Sequence, residues 1–202
     1  MLKMKDKKSR LIQTGNIYHS ILKSIGWKIE GTAPVEKKYV MVGYPHTSNW
    51  DVPIGLLVYK SLGIRLHWVG KDALFKWPLG MLIKKLGGVP VDRSKSQNFV
   101  QQVIDIFNRF ENLVLTLSPE GTRGFSEYWR TGFYHIACGA EVPIALAFLD
   151  YERKTGGFGP LLWPSGDIEK DIAKMKEFYK DMKGKFAANM GRIQLRPYSG
   201  SE

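Results

Sequence analysis

Residues 39–43 (YVMVG), 113–117 (LVLTL) and 142–148 (VPIALAF) are near-continuous apolar runs bounded by charged or turn-forming residues. Runs of this length predict strands covered on both faces, as in parallel sheets. Elsewhere the apolar positions take up helical spacing. Phe99, Val103, Ile106, Phe107 and Phe110 predict a helix opening at Ser94 or Ser96. Helices are also expected over 53–62, starting near Asp51, and over 128–138 and 168–182. Residues 72–86 read as helical with interruptions at Pro78 and Gly80. Short strands are expected over 64–69 and 89–91, with an edge strand over 194–196. This alternation predicts a single α/β domain: a mostly parallel mixed sheet flanked by helices. Chemistry in such folds gathers in loops at the carboxyl ends of strands. The loops holding His46 and residues 118–123 both stand there.

The chain opens on a basic leader, MLKMKDKKSR, with five basic residues and one acidic one. Leu11, Ile12, Ile17, Tyr18, Ile21, Leu22, Ile25 and Ile29 then recur with helical period, predicting an N-terminal amphipathic helix. The division expected is a leader and helix over 1–30 and a catalytic-type domain over 31–202. Apolar area beside cations suits an anionic membrane surface, and it suits packing on a core equally well.

Composition narrows the partners. The 202 residues suffice for one core. A net charge of +11 attracts polyanions, whether nucleic acid, acidic headgroups or phosphorylated substrates. No nucleic-acid module with interleaved stacking aromatics accompanies that charge, so nucleic acid is not expected as a partner. No run approaches the roughly 20 apolar residues needed to span a bilayer. The chain therefore reads as cytoplasmic, with lying on a membrane surface left open. Cys138 is the one cysteine, and its apolar neighbourhood (133–142) predicts a packed core thiol. His19, His46, His67 and His135 have no metal-ligand spacing, so no metal site is expected.

Four short stretches carry candidate chemistry. In PHTSNWD, His46 and Asp51 lie five residues apart, which on one helix puts them about 140° apart. They meet only if His46 sits in a turn and Asp51 starts the following helix. Asp51 then fixes the imidazole tautomer, leaving the other nitrogen free as a base. The alternative is a polar turn closing a strand. In SPEGTR, Gly121 permits a tight turn from which Glu120, Thr122 and Arg123 project, either toward an anionic ligand or into a solvated ion pair. In GGVPVDR, Arg93 stands at a strand exit, where its fork suits a phosphate or merely pairs with Asp92. VPI, from Val142 to Ile144, opens a core strand.

These stretches in this order resemble the glycerolipid acyltransferase family with its H-x4-D motif, in particular the 1-acylglycerol-3-phosphate (lysophosphatidic acid) acyltransferase branch. HTSNWD, GGVPVDR, PEGTR and VPI stand where that family has its four blocks, over roughly residues 39–148. The resemblance implies a peripheral membrane enzyme of phospholipid biosynthesis. It would move a fatty acyl group from acyl-CoA or acyl-acyl carrier protein to a lysophospholipid hydroxyl. His46 would be the base and Asp51 its orienting partner. Arg93 and Arg123 would hold the acceptor phosphate, with Glu120, Gly121 and Thr122 completing their block. The acyl thioester is a co-substrate, and no cofactor is implied. Backbone N–H groups near the helix start after His46 are expected to stabilise the oxyanion. Residues 74–83 are expected to line an acyl groove, touch lipid or pack in the core. Pro45, Ser118 and Arg130 depart from common family residues (often Asn, Phe and Lys), which leaves the acceptor open. Ornithine lipid and other alcohols remain alternatives, as does a non-catalytic lipid-binding relative.

Overall fold

The computed structural model describes residues 16–76, 80–85, 87–92 and 96–197. Seven strands form one sheet: β1 (Lys28–Glu30), β2 (Lys38–Gly43), β3 (Leu66–Lys71), β4 (Gly88–Val91), β5 (Leu113–Leu117), β6 (Ile144–Asp150) and β7 (Thr155–Leu162). Their order is β1-β7-β6-β2-β5-β3-β4. Only β6 and β7 run antiparallel; every other neighbouring pair is parallel. The helices are α1 (Ile17–Ser24), α2 (Asp51–Ser61), α3 (Gly80–Lys85), α4 (Ser96–Arg109), α5 (Gly132–Gly139) and α6 (Ile168–Tyr179). The expected α/β architecture is the one observed.

The apolar runs fill both faces of the sheet. Along β2, Val40 and Val42 pack into one core layer with Phe107, Leu113, Leu115, Ile136 and Met175. Tyr39 and Met41 face the opposite layer with Leu22, Trp27, Val58 and Tyr59. Successive strand side chains alternate in direction, so a two-faced core demands an unbroken apolar run. All seven residues of β6 are buried. Burying one such Val, Leu, Ile or Phe side chain contributes about 1.5–3 kcal/mol, which anchors the strands carrying the site.

Several local expectations are corrected. The N-terminal helix does not run to Ile29: α1 ends at Ser24, and Ile29 lies in β1, paired with β7. Within 1–30, Lys28–Glu30 therefore joins the sheet; the leader lies outside the described residues. Residues 128–131 are not helical, because the Trp129 and Arg130 amides donate to Gln194 O and Pro119 O at 2.9 and 2.8 Å. Helix α5 begins only at Gly132. Residues 194–196 form no strand. Cys138 is exposed rather than packed in the core, since the buried face of α5 is taken by Phe133, Tyr134, Ile136 and Ala137. Residues 72–75 form a 3-10 turn ahead of α3; Pro78 and Ser94 lie outside the described residues. Strands β1 and β7 are additions to the expected set. Among the described residues, no helix is long and apolar enough to cross a membrane.

Candidate active site

Three neighbouring parallel strands deliver the site. In the order β6-β2-β5, each ends on the same edge of the sheet. Tyr151 follows β6, the His46 loop follows β2, and the loop of residues 118–123 follows β5. Chain segments remote in sequence thus converge because parallel pairing aligns their carboxyl ends.

His46 lies in a turn after the cis Tyr44–Pro45 peptide, and Asp51 is the first residue of α2. The expected meeting occurs: His46 Nδ1 and Asp51 Oδ2 are 3.0 Å apart. Oδ2 also accepts the Thr47 and Ser48 amides at 2.8 and 2.9 Å, and Oδ1 accepts the Tyr151 hydroxyl at 2.7 Å. Burial pushes the Asp51 carboxyl up, but the hydrogen bonds from His46, Tyr151 and Ser48 outweigh it and hold the group below its ordinary value. An ionised carboxylate only accepts. Nδ1 is therefore the protonated nitrogen of neutral His46, and the Nε2 lone pair is left free. Asp51 is nearly inaccessible, at 6% side-chain exposure, whereas His46 keeps 24%. The base faces out and its partner is sealed in.

Four amides at the start of α2 are already engaged. Thr47 and Ser48 N–H donate to Asp51, Trp50 N–H to Ser48 Oγ, and Asp51 N–H to Ser48 O. These bonds withdraw the Thr47, Ser48, Trp50 and Asp51 N–H groups from the set expected to stabilise an oxyanion.

The SPEGTR loop divides in two. Glu120 is 1% exposed. Its Oε2 accepts the His46 amide at 2.7 Å and its Oε1 the Gly191 amide at 3.0 Å. Burial pushes its carboxyl up to about 7, against the opposing pull of the Gly191 and His46 amides. Glu120 is thus turned inward as a tether. Gly121 adopts φ +67°, and a Cβ there would strike the Arg130 guanidinium. Thr122 and Arg123 are exposed, and Thr122 Oγ1 accepts the Gly124 amide at 3.2 Å. Arg93 lies outside the described residues.

A groove of about 410 Å³ opens beside the dyad, lined by Thr47, Ser48, Asn49, Trp50, Arg123, Gly124, Phe186 and Asn189. Its size falls in the range of small-ligand clefts. Arg123 is the one charged lining residue. Trp50 and Phe186 offer apolar walls, and Lys185 Nζ stands 4.9 Å from the Trp50 ring centre. The segment bearing Phe186 and Asn189 is tied down by Thr47: Oγ1 accepts the Phe186 amide at 3.3 Å, and the Thr47 carbonyl accepts Asn189 Nδ2 at 3.4 Å. Sequence reading missed Tyr151, Phe186, Asn189 and Gly191. Tyr151 had one legible signal, a hydroxyl-bearing side chain immediately past a buried strand. The others have none, since their position depends on how the C-terminal segment folds back.

A buried carboxylate, a partly exposed imidazole and a groove lined by Arg123 thus gather at the carboxyl edge of a parallel sheet. A family model described as Acyltransferase matches residues 26–146. The chain belongs to this Acyltransferase family and is an acyltransferase. Among solved structures it is similar to the crystal structure of the 1-acyl-sn-glycerophosphate (LPA) acyltransferase PlsC from Thermotoga maritima. The TM-score is 0.54 at 16% identity, covering 83% of this chain and 78% of that one. At that identity the likeness concerns the fold. No curated protein matches the chain in sequence.

Proposed function

We propose that the chain transfers a fatty acyl group from acyl-CoA or acyl-acyl carrier protein to the hydroxyl of a lysophospholipid, with 1-acylglycerol-3-phosphate the leading acceptor. The observation that carries this reading is the His46–Asp51 contact of 3.0 Å, its two residues flanking the loop of Thr47–Trp50 that lines a groove with Arg123. His46 Nε2 takes the proton of the acceptor hydroxyl as its oxygen attacks the thioester carbonyl. The tetrahedral intermediate collapses with cleavage of the C–S bond, and the imidazolium returns the proton to the leaving thiolate. A positioned base of this kind contributes roughly 10²–10⁴-fold. Asp51 stabilises the imidazolium and holds its tautomer. Arg123 pairs with the acceptor phosphate, and Arg93, assigned by the family resemblance alone, would be a second contact.

Lipid contact is part of the reading. Ile17 and Ile21 on α1 and Ile25 at its C-terminal cap, four residues apart, are 68%, 41% and 45% exposed. On α2, Val52 and Leu56 are exposed too, as are Met81 and Leu82 on α3. Side chains four residues apart, as in Ile17 and Ile21 or Val52 and Leu56, share a helix face, and exposed apolar side chains on a basic protein suit an anionic bilayer surface. The protein would work peripherally on a cytoplasmic membrane face.

The direct experiment follows thiol release from acyl-CoA and from acyl-acyl carrier protein, with and without lysophosphatidic acid, and checks the lipid product by mass. Acceptor-dependent release with diacylated product is expected. Release without acceptor would indicate a hydrolase. Absence of release across a panel of lyso-lipids and ornithine lipid would favour a lipid-binding relative without catalysis.

A further inference from the structure

Asp51 is held from two sides. Its Oδ2 receives three N–H groups, all from its own loop: the His46 ring and the Thr47 and Ser48 amides. Its Oδ1 receives one donor, the Tyr151 hydroxyl, from 100 residues further along the chain, at 2.7 Å. With Oδ2 alone engaged, the carboxylate can still swing about its last side-chain bond, because a terminal sp³–sp² torsion is broad. A second donor on the opposite oxygen removes that freedom.

The Tyr151 mount is itself stiff. The residue follows β6 directly. The turn after it is closed by Asp150, whose Oδ1 accepts the Glu152 and Arg153 amides at 3.1 and 3.2 Å and whose Oδ2 accepts Arg153 Nε at 2.7 Å. The Tyr151 ring meets buried Trp27 edge-on, with centres 5.0 Å apart at 90°. Its amide donates to Lys183 O at 2.8 Å. Burial and the Asp51 carboxylate push the phenol far above its ordinary value, so it remains a donor throughout the working pH range. A rigidly mounted hydroxyl whose hydrogen bond ends on a catalytic-type carboxylate does more than fill space.

We propose that Tyr151 is a positioning residue for the acyl transfer, its phenol locking the Asp51 carboxylate in the plane that keeps His46 aimed at the acceptor hydroxyl. This rests on the reading of His46 as the base. The phenol bonds to Asp51 and is not among the residues lining the groove. Its contribution therefore enters turnover and not substrate binding.

Tyr151→Phe tests this, since it keeps the ring against Trp27 and removes only the hydroxyl. Tyr134→Phe is the matched control: it deletes a similar phenol–carboxylate bond, Tyr134 to Asp171 at 3.0 Å, outside the dyad. Steady-state kinetics with acyl thioester and lysophosphatidic acid should show kcat reduced about tenfold in Tyr151→Phe, the worth of one charge-assisted hydrogen bond. Both KM values should be unchanged, and Tyr134→Phe should match wild type. In proton NMR, the downfield Nδ1–H signal of His46, assigned by its loss in His46→Ala, should broaden into exchange with water in Tyr151→Phe alone. Unchanged kcat, a loss carried by KM, or an unaltered His46 signal would each overturn the proposal. If wild type turns over no lipid, the functional reading fails instead. The NMR signal then still decides whether Tyr151 orders the dyad.

Discussion

Glu120 Oε2 accepts a hydrogen bond from the main-chain amide of His46 at 2.7 Å, across 74 residues of sequence. Its other oxygen accepts the Gly191 amide, so one buried carboxyl joins the base-bearing loop, the β5 loop and the C-terminal segment. Raised from 4.5 to about 7, this group favours the protonated form in the fold. Its stability contribution is therefore fully present below about 4.5 and is lost as pH rises through 7. Glu120→Gln removes that titration while losing the acceptor for one amide, a cost of about 1–3 kcal/mol. In urea unfolding, the advantage of wild type over Glu120→Gln is expected to be smaller at pH 8 than at pH 5. An advantage that grows toward pH 8 would contradict the burial argument.

Gly121→Ala is expected to destabilise the loop. At φ +67° an L-residue is strained by about 1–2 kcal/mol, and the new Cβ would also push against Arg130. A denaturation midpoint equal to that of wild type would show that the loop relaxes at no cost.

Arg123→Ala should weaken the phosphate-bearing acceptor in particular. Loss of one charged hydrogen bond predicts a KM for lysophosphatidic acid raised about tenfold or more, with the KM for the acyl donor unchanged. The reverse pattern would move Arg123 to the donor side.

Ile17→Asp combined with Ile21→Asp alters two exposed positions of α1 and should leave the fold intact. Sedimentation with anionic vesicles should fall by about tenfold or more, since each apolar side chain withdrawn from the interface forfeits about 1.5–3 kcal/mol. Undiminished sedimentation would exclude this face from lipid contact.

What was legible in the sequence follows from burial. Strands β2, β5 and β6 are covered on both faces, so each is an apolar run that stands out. Helix α4 has one buried stripe containing Val103 and Phe107, which the 3.6-residue period reveals. Strand β7 was hidden by its composition, TGGFGPLL. Its glycines serve close packing: a Cβ at Gly157 would overlap the main-chain oxygen of Glu30 on neighbouring β1. That requirement is invisible without the partner strand. The His46–Asp51 spacing was legible as a candidate because a turn followed by a helix start can close it. The inward turn of Glu120 was not, since it depends on an amide in the C-terminal segment. The same holds for Trp129 and Arg130, whose amides bond to distant carbonyls instead of forming a helical turn.

The central claim is that His46 is the base of an acyl transfer. The most direct test is the initial rate of lysophosphatidic acid-dependent thiol release by wild type and by His46→Ala, with circular dichroism confirming that both are folded. A rate reduced by roughly 10²–10⁴-fold in the folded variant is expected for loss of a general base. A folded His46→Ala protein that turns over at close to the wild-type rate would contradict the account.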